Sequence, residues 1–202
     1  MFIRRFLQLQ FGLCLYGVSL ALMVRADLGL DPWDVFHQGL SERTGLSLGT
    51  VLIIVGAAVM LFWIPLRQKP GIGTLCNIVV IGLVTDAALK VMPHLDHLGV
   101  RVLALGATIM LNAVATAAYI GAGMGPGPRD GLMTGLVRRT GWPLRWTRTG
   151  IEATVLGLGW LLGGSVGVGT VLYAVAIGPL IQIFLPYFQV EPKREPAPAT
   201  TT

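Results

Sequence analysis

Ionisable side chains inside apolar sequence are the residues of this chain most able to do chemistry. Asp34 and Asp130 each stand two residues after a proline in a shared pattern, G-x-x-P-x-D, and Arg129 directly precedes the second aspartate. Both patterns lie in connectors between predicted spans, where half-helices that re-enter the membrane would offer such polar groups to a solute. We predict that these residues form a solute or ion site. The alternative is that free N–H groups at a helix start satisfy each carboxylate.

Arg148 and Glu152 form a second charged pair, one helical turn apart where a predicted span enters the membrane. The pair is either structural or the gate of a cytoplasmic opening beside Arg129 and Asp130. The equivalent of Glu152 in the first half of the chain, position 56, is a glycine. This charge therefore breaks the internal symmetry described below.

Other polar residues within the apolar segments have simpler explanations. Thr74 and Thr170 close two copies of G-x-G-T, a pattern that favours close helix packing and capping, with a ligand role beside the backbone as the alternative. Asp86 lies four residues before Lys90, and we expect a local ion pair.

The sequence gives no pattern typical of an enzyme. Three histidines, His37, His94 and His97, fall on the predicted outer side of the membrane, where histidines near the interface are common and a metal site is improbable. Cys14 and Cys76 lie in apolar segments without the spacing of a metal site or disulfide framework. We expect no catalytic residue, no metal and no cofactor.

The composition excludes an ordinary soluble domain. The chain has 202 residues, of which 53% are hydrophobic and 12% charged, whereas soluble domains carry about 25% charged residues. The net charge of +5 does not indicate nucleic-acid binding, because membrane proteins collect Lys and Arg on cytoplasmic loops and no basic stretch is interleaved with aromatic residues. The class is therefore a helical membrane protein.

Six apolar windows approach the roughly 20 residues that cross about 30 Å of hydrocarbon. They cover residues 7–24, 49–66, 72–92, 100–120, 147–163 and 168–188. With both termini in the cytoplasm, eleven of the 15 basic residues are cytoplasmic, in accord with the positive-inside rule. We predict one all-α transmembrane domain over 1–190 in a bacterial cell membrane, and a disordered cytoplasmic tail over 191–202.

The chain contains an internal repeat. Shifted by 96 residues, positions 26–89 match the second half at 20 of 64 positions without a gap, where composition alone would give about five or six. Repeat 1 covers about 7–92 and repeat 2 about 100–188. Each holds three predicted spans, an odd number, so the second copy must be inverted in the membrane.

A connector of about 24 residues in each repeat carries the G-x-x-P-x-D pattern. Pro32 and Pro128 predict helix starts, with Asp31 as a candidate N-cap for the first. Both helices are too short to span. They either re-enter the membrane as half-helices that offer polar groups to a solute, or lie flat in the interface.

Several of these motifs resemble those of a known family. Residues 28–34, 125–133 and 159–170, together with Arg148-x-x-x-Glu152, are similar to the bacterial integral membrane family called YczE-like, related to the YyaS and YitT proteins. The resemblance implies a multi-pass cell-membrane protein of unsettled activity, associated in one lineage with lipopeptide antibiotic production. It supplies no catalytic residue.

Two functions are compatible with the sequence. The first is a small secondary transporter or permease whose partners are the bilayer and a small-molecule solute, with Asp34, Arg129, Asp130, Arg148 and Glu152 as its site or gate. The second is a non-transporting accessory protein that supports a membrane complex, such as one for lipopeptide biosynthesis or export. A cavity reaching Asp130 and Glu152 would favour the transporter, and a solid centre with an apolar groove would favour the accessory role. A chain this small could form a homodimer.

Overall fold

The structure is a computed structural model that describes residues 1–190, and over this range every regular element is a helix. The predicted disordered tail, 191–202, lies outside the described residues. The helices are α1 (Phe2–Ala26), α2 (Pro32–Thr44), α3 (Leu48–Leu61), α4 (Trp63–Leu66), α5 (Ile72–Val91), α6 (Leu98–Gly121), α7 (Pro128–Thr140), α8 (Leu144–Leu161) and α9 (Val168–Phe188).

The two short helices of the connectors begin and end at equivalent residues. Each has 13 residues and a proline in its first turn, where a missing N–H costs no hydrogen bond. Each ends before a glycine in the left-handed region, Gly45 at a φ of 72° and Gly141 at 73°. The predicted helix starts at Pro32 and Pro128 are confirmed.

Four helices, α1, α5, α6 and α9, are long and apolar enough to cross a membrane alone. Helices α2 and α3, bent by 115° at the break between them, form a fifth candidate if they are counted as one span. The structure therefore confirms a helical protein with several candidate spans, whereas the number six stays a prediction. The window at 49–66 is interrupted because α3 ends at Leu61, and α8 holds Arg145, Arg148 and Glu152 within its 18 residues.

The halves of the chain interlock. Helix α1 packs along α5 and α6, α6 packs along α9, and each connector helix packs mainly on the other half, α2 on α8 and α7 on α3 and α4. Glycines permit these contacts. A Cβ at Gly159 would lie 2.5 Å from the backbone nitrogen of Phe36, and one at Gly131 would lie 2.0 Å from the ring of Trp63.

Two backbone hydrogen bonds tie the connector of each half to a helix of the other. The N–H of Gly73, at the start of α5, donates to the carbonyl oxygen of Met124 over 2.9 Å. The N–H of Gly169, at the start of α9, donates to the carbonyl oxygen of Leu28 over 2.7 Å. Both partners of the second bond lie 96 residues from those of the first, so the connectors are held at the centre by equivalent contacts.

Candidate functional site

The N-terminus of α2 carries a buried carboxylate that caps the helix. Asp31 Oδ1 accepts hydrogen bonds from the backbone N–H groups of Trp33, over 2.8 Å, and Asp34, over 3.0 Å. These donors lack partners within the helix, and an aspartate before a first-turn proline satisfies them. The predicted N-cap is confirmed, and Asp31 also lies close to the guanidinium of Arg129.

Arg129, at the start of α7, reaches across to the first half and bridges its two aspartates. Its Nη2 lies 3.1 Å from Asp34 Oδ1, and its Nη1 lies 3.6 Å from Asp31 Oδ1. Its guanidinium also stacks on Trp33, with Cζ 5.2 Å from the ring centroid. Asp34 and Asp31 are only 1% and 4% exposed. Buried carboxylates of this kind require a charged partner, and the planar guanidinium can serve both of them.

His37 completes this cluster from one turn further along α2. Its Nδ1 lies 2.9 Å from Asp34 Oδ1, and the ring is 2% exposed. Because a carboxylate accepts, Nδ1 carries the proton in this contact. His37 was not among the predicted site residues, although its spacing of three residues from Asp34 on a helix was a usable signal.

The equivalent aspartate in the second half has different surroundings. Asp130 Oδ2 accepts a hydrogen bond of 3.1 Å from the hydroxyl of Tyr119 and forms no ion pair within the described chain. The position equivalent to Asp31 is Gly127, which has no side chain to cap α7. The two halves thus supply related carboxylates with unequal partners.

A chain of polar side chains joins α1, α6 and α9 beside this cluster. Tyr173 donates to Asn112 Oδ1 over 2.9 Å, and Asn112 Nδ2 donates to Ser19 Oγ over 3.1 Å. Asn112 and Ser19 are buried. Every member has a partner, which stabilises the packing of the long helices around the site.

A cavity of about 310 Å³ adjoins these residues. The charged residues that line it are Asp31, Arg129, Asp130, Arg148 and Glu152. Arg148 Nε lies 2.8 Å from Glu152 Oε1, so the predicted turn-spaced pair is formed and opens onto the cavity. Together with Asp34, which contacts Arg129, four carboxyl groups face two guanidinium groups. The site has an excess of negative charge when all of these groups are ionised.

The two predicted threonines lie away from this cavity. Thr74 Oγ1 accepts from the N–H of Gly71 over 3.1 Å and donates to the carbonyl oxygen of Pro126 over 2.8 Å. Thr170 Oγ1 accepts from the N–H of Gly167 over 3.2 Å. Both threonines are buried and cap the helices that they begin.

Asp86 has other partners than the one predicted. Its Oδ1 accepts from the N–H of Gly49 over 2.7 Å, and its Oδ2 accepts from the hydroxyl of Ser47 over 2.5 Å. The expected ion pair with Lys90 is not formed. The start of α3 offers unsatisfied N–H groups, which the carboxylate reaches because α3 packs against α5.

A second, apolar groove of about 720 Å³ lies between α2 and α3 on one side and α7 and α8 on the other. Phe36, Val55, Leu136, Trp146 and Ile151 are among its lining residues. Trp33 borders both the groove and the polar cavity. Across residues 1–190, no three His, Cys, Asp or Glu side chains cluster as a metal site would require.

Comparisons with known proteins place the chain in a family. Residues 3–186 match a family of unknown function, DUF6198. An uncharacterized protein of Haemophilus influenzae is 40% identical over 177 residues, covering 88% of this chain and 81% of that protein. The uncharacterized membrane protein YczE of Bacillus subtilis is 37% identical over 172 residues, covering 85% and 80%.

A more distant relative is the uncharacterized protein YyaS of Bacillus subtilis, 26% identical over 182 residues, which cover 87% of this chain and 89% of YyaS. No solved structure matches the chain. The apolar helices, the match to the family model and the relatives agree with one another. The chain is therefore a multi-pass membrane protein of the DUF6198 family, to which the YczE-like resemblance pointed.

Proposed function

We propose that this protein is a small secondary transporter, built from two inverted repeats of three spans, with the polar cavity as its solute site. The observation that carries the proposal is the cavity of about 310 Å³ that reaches both Asp130 and Glu152. Sites of inverted-repeat transporters lie where the two copies meet, and this cavity is lined by residues of both halves.

The contact between the connectors supports re-entrant half-helices. In the inverted topology, α2 and α7 approach from opposite membrane faces, and helices lying flat in the two interfaces would be about 30 Å apart. Instead, Arg129 in the first turn of α7 lies 3.1 Å from Asp34 in the first turn of α2. Both helix starts must then extend toward the midplane, where irregular backbone is tolerated because it is buried in protein or lines a cavity.

The short length of α3 fits the same topology. With 14 residues, α3 rises about 21 Å, less than the hydrocarbon thickness. The bend of 115° folds α2 back beside α3, which is the arrangement of a re-entrant half-helix followed by a short span. By the sequence repeat, α7 and α8 would form the equivalent pair.

The charges favour a solute or coupling ion with positive charge. Arg129 is held by Asp34 and Asp31, and Arg148 by Glu152. Among the described residues, Asp130 has neutral hydrogen-bond partners, of which the hydroxyl of Tyr119 is one, and it forms no ion pair. A carboxylate in this setting gains most from a cation that arrives with the solute.

Uptake into proteoliposomes across a panel of cationic, zwitterionic and neutral solutes tests the proposal. We expect Asp130→Asn and Glu152→Gln to lower uptake at least about tenfold, since each loses a charge facing the cavity. Asp96→Asn is the matched control, because Asp96 is exposed in a loop between helices. Equal uptake in all variants would remove these two residues from the mechanism.

A second function, a non-transporting accessory protein, is favoured by the apolar groove of about 720 Å³. Such a groove fits the apolar surface of a membrane partner. The same uptake panel separates the two candidates. If no solute enters above the level of empty liposomes, transport is refuted and the accessory role remains.

A further inference from the structure

Two pockets of unequal size adjoin the cluster at the starts of α2 and α7. Arg148, Glu152, Tyr173 and Ile177 contribute to the cavity of about 310 Å³. The residues 96 positions earlier line a second pocket of only about 40 Å³. These equivalents are Leu52, Gly56, Asn77 and Ile81. The residues that border both pockets are Trp33, Asn77, Ile81, Pro128 and Arg129, so the two spaces meet at the same cluster. Of the four equivalents, Leu52 and Gly56 line the small pocket alone.

Helix packing explains the difference in size. In the first half, α3 packs along α5, but in the second half α8 makes no comparable contact with α9. The α3–α5 contact is so close that a Cβ at Gly49 would lie 2.0 Å from the carbonyl oxygen of Gly82. The position equivalent to Gly82 is Gly178, and a Cβ there would meet nothing within 4 Å. We call the contact between α3 and α5, and the equivalent space between α8 and α9, the seam of each half. The seam is closed in the first half and open in the second.

Hydrogen bonds of Asp86, which we call the latch, hold the start of α3 against α5 in the closed seam. Asp86 on α5 accepts hydrogen bonds from the N–H of Gly49 and the hydroxyl of Ser47, both at the start of α3. The equivalent of Asp86 is Gln182, which lines the larger cavity, and the equivalent of Ser47 is Pro143, which has no hydroxyl. The latch belongs to the first half alone.

We propose that the small pocket is the second entrance, or mouth, of the same solute pathway, closed in this structure. The contact between Gly49 and Gly82 and the hydrogen bonds of Asp86 keep it closed. Opening of α3 from α5 would be accompanied by closure of α8 onto α9, so that the halves exchange their packing. This inference rests on the proposed transport function. It adds Leu52, Gly56 and Asp86 to the pathway, none of which the sequence assigned to it.

The structure explains why such an exchange is feasible. The halves have equivalent helices and equivalent connector contacts. Arg145 stands at the position equivalent to Gly49, so the second half would close with a looser contact than the first. The open space around Gly178 leaves room for α8 to approach α9. The unequal side chains, above all Asp86 against Gln182, then set which mouth is closed at rest.

Labelling of single cysteines by a membrane-impermeant maleimide, added to either face of sealed vesicles, tests the proposal without a known solute. In a chain carrying Cys14→Ser and Cys76→Ala, Arg148→Cys and Leu52→Cys are equivalent positions, one in each mouth. We expect Arg148→Cys to react from one face, and Leu52→Cys to react only from the other. The second rate should be about 10 to 1,000 times lower, as for a minor conformation.

Two further variants act in opposite directions. Asp86→Asn weakens the latch and should raise labelling at position 52 by about tenfold. Gly178→Leu is tolerated in the open seam but prevents α8 from closing onto α9, so it should abolish labelling at position 52 and leave position 148 unchanged. Gly106→Leu is the matched control, because a Cβ at Gly106 also meets nothing within 4 Å. Size-exclusion profiles confirm that each variant is folded.

Three results would overturn the proposal: labelling of positions 52 and 148 from the same face, no labelling of position 52 even with Asp86→Asn, or equal effects of Gly178→Leu and Gly106→Leu. Failure of the proposed function looks different. Opposite-face labelling without uptake of any solute refutes transport alone, whereas uptake without opposite-face labelling refutes this second mouth alone.

Discussion

Replacing Arg129 by methionine should destabilise the protein strongly. The substitution keeps an apolar stem against Trp33 but removes the only cation within 4 Å of Asp34 and Asp31 among the described arginines and lysines. Removing one partner of a buried ion pair costs about 3–5 kcal/mol, because the remaining charge is left uncompensated. For a chain of this size, about 2–4 °C per kcal/mol gives a drop in apparent melting temperature of about 6–20 °C.

Thermal unfolding in detergent, followed by size-exclusion chromatography of a fluorescent fusion, measures this drop. Arg4→Met is the control, because Arg4 is exposed and makes no ion pair in the described chain. Adding Asp34→Asn to Arg129→Met should recover part of the loss, since the double variant no longer buries that charge unpaired. Two results would show that Arg129 does not stabilise the aspartates. One is an equal melting temperature for Arg129→Met and Arg4→Met. The other is a double variant in which Asp34→Asn lowers the melting temperature further instead of restoring part of it.

Two further predictions concern packing and capping. Gly131→Ala should lower the free energy of unfolding by about 1–3 kcal/mol, because the new methyl would lie 2.0 Å from the ring of Trp63. The displaced ring would lose the hydrogen bond from Trp63 Nε1 to the carbonyl oxygen of Pro128. A melting temperature equal to that of wild type would contradict the contact. Thr74→Val should cost about 1–3 kcal/mol, since it leaves a donor and an acceptor unpaired. Thr170→Val should cost less, because within residues 1–190 the side chain of Thr170 makes only the capping bond. The reverse order in parallel melting curves would refute this assignment.

Local patterns in the sequence were enough to place the short helices and the repeat. Proline at a first helical position acts through backbone geometry that extends over a few residues, so the starts of α2 and α7 could be predicted without tertiary contacts. The aspartate at position 31 was recognisable as a cap for the same reason.

Contacts between side chains that are distant in the sequence could not be predicted from local patterns. Asp86 was expected to pair with Lys90 on its own helix, but it bonds the start of α3, because a close glycine contact brings those N–H groups within reach. His37 was passed over because its value depends on burial beside Asp34. The number of spans stays a prediction, since window length does not show that α3 ends at Leu61 or that α2 folds back on it.

The sequence by itself determined the membrane class, the duplication and the residues able to carry charge into the core, because composition, repeat spacing and helix signals are properties of neighbouring residues. Only the tertiary structure decided that Arg129 of one half bridges two aspartates of the other, and that one seam is closed and its equivalent open. Those outcomes depend on distances between segments some hundred residues apart, which the packing of whole helices sets.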